Sequence, residues 1–167
     1  MLEQQWLNIY KETVHPLYGY ASKRTGGNRE LTEDIVQESY LRALGHWSSR
    51  SLPDSPLAWL KRVARNILID YVRHRKWEAK EALGQKAETD VRSPGDEFES
   101  LEMYAAITSL GRKKARALEA FYYDGLSVKE IANEMSVSER AAEGLLRRAR
   151  EALRLLLPDP HAEGGKK

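Results

Sequence analysis

Residues 130–150 read EIANEMSVSERAAEGLLRRAR, a pattern of two helices joined by a short turn. Ser127 precedes the first helix and forms an S-x-x-E capping box with Glu130. Ser138 is placed to cap the second helix. Ser136 occupies a turn position where such motifs often carry glycine, which predicts a positive φ there. The stretch therefore predicts a helix-turn-helix.

The second helix of this motif has an apolar face and a polar face. The polar face is rich in arginine, which can neutralise DNA phosphates, and the first turn of such a helix reaches base edges. Glu143 is unusual there, but a carboxylate can accept a hydrogen bond from cytosine N4, and Arg147 at i+4 is placed to pair with it. The expected inner face is Ala141, Ala142, Leu145, Leu146, Ala149 and Leu153, and the expected DNA-reading face is Arg140, Glu143, Gly144, Arg147, Arg148 and Arg150.

Helical periodicity recurs through the rest of the chain, whereas alternation of strand length is missing. Thr32 is a candidate N-cap because Glu33 and Asp34 follow it in the first turn. Pro16 is expected to kink or break the first helix. The sequence therefore predicts an all-α fold. The expected helices span residues 3–24, 32–47, 56–77, 98–109, 112–123, 128–135 and 139–156.

A polar stretch at residues 84–97, GQKAETDVRSPGDE, interrupts the helical pattern. Its glycines and proline are typical of a linker, and residues 78–102 carry eight acidic side chains against three basic ones. We expect two small helical domains joined by a flexible acidic linker. The expected bounds are 1–80 for the first domain, 81–100 for the linker, 101–157 for the helix-turn-helix domain and 158–167 for a disordered tail.

Composition argues against several classes of protein. The chain has 167 residues, a net charge of +2 and no cysteine, so disulfides and cysteine-ligated metals are excluded. Its four histidines lack ligand spacing, and neither a phosphate-binding loop nor a nucleophile–base pair is evident. No apolar run approaches the roughly 18 residues of a membrane span, and the N-terminus lacks a secretory pattern. We expect a cytoplasmic protein that is not an enzyme, does not insert into a membrane and needs no cofactor or metal.

The helices expected at 32–47 and 56–77 each place a polar face opposite an apolar one. The polar face of the second helix suits a DNA strand, because arginine binds phosphates and a central asparagine can read a base edge. An ordinary solvated surface is the alternative for both faces. The expected core residues are Ile35 or Val36, Tyr40, Leu44 and Trp47 in the first helix, and Leu57, Leu60, Ala64, Ile67, Leu68 and Tyr71 in the second.

These two helices, DIVQESYLRA followed by WLKRVARNILIDYVRHR, resemble the promoter-melting domain of bacterial extracytoplasmic-function (ECF) sigma factors. The stretch LEAFYYDGLSVKEIANEMSVS, with RRAREALR after it, is similar to their second domain. Together the matches cover most of residues 10–156. The recognition helix departs from the family, because Glu143 and Leu145 replace the basic pair of a T-V-K/R-S-R type run. This departure leaves open which minus-thirty-five sequence is read.

The resemblance implies a role in transcription initiation. In the family, the DIVQE helix docks on the clamp coiled coil of core RNA polymerase, the following helix opens the minus-ten element and captures a non-template base, and the recognition helix reads the minus-thirty-five element. The implied partners are core RNA polymerase, promoter DNA and an anti-sigma factor. The implied polymerase-binding residues are Asp34, Gln37, Glu38 and Arg42. The implied minus-ten residues are Lys61, Arg62, Arg65, Asn66, Arg73 and Arg75, with Asn66 on the base.

A two-domain helix-turn-helix regulator that binds duplex DNA without polymerase is the alternative from sequence. It explains the C-terminal half of the chain. It gives no reason for the DIVQE face or for the WLKRVARN helix.

Overall fold

The computed structural model describes residues 3–49, 51–84 and 96–157. In these ranges it contains helices and no strand, which confirms the all-α prediction. No helix of the described part is long and apolar enough to span a membrane. The chain divides into two compact units, residues 1–101 and 102–167. The helices are α1 Glu3–Arg24, α2 Arg29–Ser49, α3 Pro56–Gly84, α4 Asp96–Ser109, α5 Arg112–Tyr122, α6 Val128–Glu134 and α7 Glu139–Leu156.

In the first unit, α1, α2 and α3 pack against one another around a shared apolar core. Leu17, Ile35 and Leu60 are almost completely buried in it. A hydrogen bond of 2.7 Å between the Thr13 and Tyr40 hydroxyls joins α1 to α2, and burial raises the pKa of Tyr40. α1 continues as one helix through Pro16, so the break expected at this proline does not occur.

The start of α2 differs from the prediction. Asn28 caps the helix, because its side-chain oxygen accepts a hydrogen bond from the Leu31 N–H at 2.8 Å. Thr32, the expected cap, is fully buried one turn later. Its hydroxyl donates to the Asn28 carbonyl at 2.5 Å and also bonds to Thr25. The Thr32 hydroxyl therefore forms hydrogen bonds inside the unit and does not cap α2.

Two expected core residues lie at the surface. Leu44 is 44% exposed, while its neighbour Ala43 is fully buried. Tyr71 is 36% exposed, and Val72 takes the core position beside it. In both helices a smaller neighbour points inward, because close packing of three helices leaves little room along the contact line. The other expected core positions of α2 and α3 are buried or half-buried.

The core of the second unit is built from alanines and a few large aliphatic side chains. Small residues allow the helix pairs α5–α7 and α6–α7 to pack closely. Ala141, expected on the inner face of α7, is exposed instead. The buried residues of α7 are Ala142, Leu146, Ala149 and Leu153.

The predicted linker is partly helical. Residues 81–84 belong to α3, and residues 96–100 belong to α4. Its central part, residues 85–95, and the predicted tail at 158–167 lie outside the described residues.

Candidate polymerase and promoter interfaces

The helix-turn-helix is capped as its sequence predicts. The Ser127 hydroxyl accepts a hydrogen bond from the Glu130 N–H, and the Glu130 carboxylate accepts one from the Ser127 N–H at 2.8 Å. The Ser127 hydroxyl also donates to the Glu130 carboxylate at 2.6 Å. This bond, followed by the one from the Ser127 N–H, lowers the pKa of Glu130. The Ser138 hydroxyl accepts from the Ala141 N–H at 3.2 Å and caps α7. The starts of both helices are thus fixed by side-chain oxygens.

The turn between α6 and α7 has the left-handed conformation predicted at Ser136, with φ 54°. The Val137 N–H donates to the Ala132 carbonyl at 2.9 Å, and the Ser136 N–H donates to the Asn133 carbonyl at 3.2 Å. Together these bonds form a Schellman motif, which satisfies the last carbonyls of α6. This motif sets the direction in which α7 leaves the turn.

Arg116 connects α5 to the helix-turn-helix. Its guanidinium bonds to Glu134 at 2.7 Å and to Asp124 at 3.0 Å. Burial opposes the charge of Arg116, but the hydrogen bond and charge of Glu134, together with Asp124, outweigh it and raise the pKa of Arg116. The half-buried cluster holds the end of α6 against α5.

The outward face of α7 is strongly polar. Arg140, Glu143 and Arg147 are exposed on it. No ion pair joins Glu143 to Arg147 in the described structure, so the expected i, i+4 pairing is not observed. Both side chains therefore remain available to a ligand.

Two other arginines of α7 lie against the protein. The guanidinium of Arg148 lies across Gly144, where an added Cβ would come within 3.3 Å of its nitrogen. The guanidinium of Arg150 lies 4.7 Å from the centre of the Phe121 ring, within cation–π range. Arg150 is thus turned toward α5, whereas Arg148 is exposed beside the outward face.

The expected polymerase-binding residues share one side of α2. Asp34 and Gln37 are exposed, and Glu38 accepts a hydrogen bond from Arg42 at 2.7 Å. Arg42 lies two turns after Asp34 and also lines a groove with residues of α3. We call Asp34, Gln37 and Glu38 the acidic face.

Two exposed leucines lie beside the acidic face: Leu41, which the sequence did not single out, and Leu44, which was expected in the core. Leu41 is 56% exposed, and Leu44 is exposed one turn further on. With Gln37 and the tyrosines Tyr10 and Tyr18 they line an apolar groove of about 420 Å³ between α1 and α2. The spacing of Leu41, four residues after Gln37, was the available signal, because residues at i and i+4 share a helix face.

The expected minus-ten residues divide among several sides of α3. Asn66 is exposed, and Arg62 and Arg73 lie on the same stripe at i−4 and i+7. Arg73 forms an ion pair with Asp70. The other three lie apart from this stripe. Lys61 and Arg65 are half-buried on a neighbouring side of the helix, about 100–140° around its axis from Asn66, and the Lys61 ammonium lies 5.6 Å from the centre of the Tyr20 ring. Arg75 lies nine residues after Asn66 on the opposite side.

The described residues contain no group of histidines and carboxylates able to hold a metal ion. A model of sigma-70 region 2 matches residues 9–78, and one of sigma-70 region 4 matches residues 100–153. The chain is 32% identical over 152 residues to the ECF RNA polymerase sigma factor SigM of Bacillus subtilis, covering 89% of this chain and 92% of that protein. This chain is an ECF sigma factor.

Other relatives agree with this assignment. The ECF sigma factor SigL of Mycobacterium tuberculosis is 31% identical over 156 residues, covering 90% of this chain and 88% of that protein. The fold resembles that of the sigma factor RpoE of Bartonella quintana, solved with the anti-sigma factor NepR, at a TM-score of 0.50 and 18% identity. That alignment covers 92% of this chain and 96% of the other. An alternative sigma factor explains both units, whereas a regulator that acts without polymerase does not.

Proposed function

We propose that this sigma factor binds core RNA polymerase through the acidic face of α2, opens the minus-ten element along α3 and reads the minus-thirty-five element with α7. The proposal is supported by two surfaces of the first unit. One is acidic with exposed leucines beside it, and the other is a basic stripe with a central amide. A protein that only bound duplex DNA would need the second surface and not the first.

The observation that carries the minus-ten assignment is the stripe of Arg62, Asn66 and Arg73 on the exposed side of α3. Unstacking a base costs a few kcal/mol. Hydrogen bonds from Asn66 to a base edge and ion pairs from Arg62 and Arg73 to phosphates are of the order needed to offset that cost. Lys61 and Arg65 lie on a neighbouring side of α3 and would add positive charge near the same strand.

The promoter contacts of the second unit follow from the face of α7. Arg140, Glu143 and Arg147 point outward from its first turns, where a recognition helix meets base edges. Arg148 is exposed at the side of this face and would bind a phosphate. Arg150 would contribute mainly to positioning α7 on α5, because its guanidinium stacks on Phe121.

Binding to core polymerase tests the acidic face directly. Asp34→Lys with Glu38→Lys is expected to weaken binding at least tenfold, because it reverses the charge at exposed Asp34 and at partly exposed Glu38 in the proposed contact. The matched control is Glu3→Lys with Glu12→Lys, which makes the same charge change on exposed positions of α1. Circular dichroism would check that the variants keep their helices. Equal affinity of all three proteins for core polymerase in a pull-down would refute the assignment.

Transcription by the reconstituted holoenzyme tests the complete proposal. Core polymerase with this chain should produce run-off transcripts from a subset of genomic fragments, and core polymerase alone should not. A chain that bound the same fragments without core polymerase and produced no transcript would be a duplex-binding regulator. We further propose that the protein acts in the cytoplasm, catalyses no reaction itself and is held inactive by an anti-sigma factor, as the Bartonella quintana relative was solved with one.

A further inference from the structure

Gly144 stands at the centre of the outward face of α7. At about 100° of rotation per residue, it lies about 160° around the helix axis from the buried side chains of Ala142 and Leu146. Arg140 and Arg148, at i−4 and i+4, flank it at about 40° on either side. Gly144 therefore occupies the part of α7 that would come nearest to a bound DNA duplex.

The fold itself does not require a glycine at this position. Gly144 lies inside a regular helix and is not one of the glycines with a positive φ. Glycine is also, after proline, the least favourable residue for the interior of a helix. Outside the backbone of α7, the three atoms nearest to an added Cβ would all belong to the guanidinium of Arg148, at 3.3, 4.0 and 4.0 Å. The space left by the missing side chain is therefore occupied by Arg148.

This space brings the charge of Arg148 onto the outward face. Side chains of a helix lean toward its N-terminus, so the guanidinium lies about one turn before its own Cα, level with Gly144. It is thereby close to the first turns of α7, where a recognition helix meets DNA. Arg148 is exposed and forms no ion pair with any residue that the structure describes. Its N–H donors thus remain available to a phosphate.

We propose that Gly144 is a positioning residue for Arg148: the missing side chain lets the guanidinium lie against α7, where it binds a phosphate of the minus-thirty-five duplex. The contact holds α7 in register while Arg140, Glu143 and Arg147 meet the base edges. The inference rests on the proposed function of α7 and deepens it, because it explains why a helix-weakening residue stands at the centre of the reading face. Stability of the helix is given up for a DNA contact.

The test measures how tightly holoenzyme, assembled from core RNA polymerase and the full chain, binds the upstream duplex of a promoter fragment found by run-off transcription. Arg148→Ala should weaken binding by about 10- to 150-fold, the range for loss of one hydrogen bond to a charged group, and should lower the slope of log affinity against log salt by about one. Gly144→Leu, which fills the space with an apolar side chain, should reproduce both effects. Gly144→Ala should weaken binding less, because the guanidinium then needs to move by only a few tenths of an ångström.

Two further measurements separate positioning from other roles of the glycine. In the Arg148→Ala background, Gly144→Leu should cause no further loss of affinity, because Gly144 acts through Arg148. In thermal unfolding followed by circular dichroism, Gly144→Ala should raise the midpoint of the second unit by roughly 2–8 °C. Gly19→Ala is the matched control, because it makes the same change in α1, where an added Cβ meets nothing within 4 Å, and it should leave duplex binding unchanged.

Three results would overturn the positioning role. If Gly144→Leu binds the duplex like the wild type, the place of the guanidinium does not matter. If Gly144→Leu weakens binding equally with and without Arg148, the glycine makes room for the DNA itself. If Gly144→Ala lowers the midpoint of the second unit, the fold requires the glycine. Failure of the proposed function looks different: wild-type holoenzyme would then bind the upstream duplex no better than core polymerase alone.

Discussion

Replacing Ser136 by glycine should stabilise the second unit. Ser136 has φ 54°, a left-handed conformation that costs an L-residue roughly 1–2 kcal/mol. Glycine avoids that strain but gives up roughly 0.5–1 kcal/mol through the greater freedom of the unfolded chain. Both Schellman bonds of the turn are donated by backbone N–H groups, so the substitution keeps them. The difference spans about 0–1.5 kcal/mol, and its middle, about 0.75 kcal/mol, is the expected gain in the free energy of unfolding.

This gain corresponds to a rise of roughly 2–8 °C in the melting temperature of a domain of this size. The tryptophans allow the rise to be assigned to one unit. All four precede residue 78, so intrinsic tryptophan fluorescence reports on the first unit alone, while far-ultraviolet circular dichroism reports the helices of both. Ser136→Gly should therefore shift a transition seen by circular dichroism and leave the fluorescence transition unchanged.

Gly125→Ala provides the opposite control. Gly125 lies in the turn after α5 with φ 68°, so alanine there introduces the strain that glycine removes at Ser136. Its circular dichroism midpoint should fall. A lower circular dichroism midpoint for Ser136→Gly, or a shift of its fluorescence transition instead, would refute the strain assigned to Ser136.

The remaining predictions concern the helix cap and the DNA-reading faces. The pKa of Glu130 is lowered by its bonds with Ser127. The carboxylate therefore contributes stability above the unfolded pKa near 4.5, and this stability is lost as pH falls through the folded pKa. Glu130→Gln should make the free energy of unfolding less dependent on pH in acid titrations followed by circular dichroism. Asn66→Ala should change the base preference of promoter opening. Arg62→Ala should instead weaken binding to all sequences and reduce the salt dependence of that binding. If wild type and Asn66→Ala open the same set of minus-ten variants equally well, Asn66 does not read a base. Glu143→Ala should lose about 1–3 kcal/mol of discrimination at one base pair if the carboxylate reads cytosine, whereas uniformly tighter binding to all duplexes would show that it only limits affinity.

The order and type of the helices could be predicted because each is marked locally. Glycines follow α1, the S-x-x-E box precedes α6, and Ser138 precedes α7. The positive φ of Ser136 was also predictable, since the geometry of the turn requires it. These features depend on residues a few positions apart, which is the range over which a single sequence is informative.

The errors came from packing, which depends on residues far apart in the chain. Periodicity could not decide between Ala43 and Leu44, because the choice follows from the space left by α1 and α3. Thr32 is a suitable residue for a helix cap, yet its hydroxyl forms a hydrogen bond with the Thr25 hydroxyl inside the unit. The ring that receives Arg150 belongs to another helix, so the spacing within α7 could not reveal it.

If α7 reads the minus-thirty-five element as proposed, its two faces have separate tasks, and this separation bears on how promoter preference can change during evolution. Its buried side consists of alanine and leucine, which hold the unit together. Arg140, Glu143 and Arg147 stand on the other side. Surface substitutions of this kind usually alter stability by less than about 0.5 kcal/mol. A lineage of such proteins can therefore acquire new target sequences through single mutations while the unit remains folded at every step, and duplicated copies can diverge toward separate sets of genes.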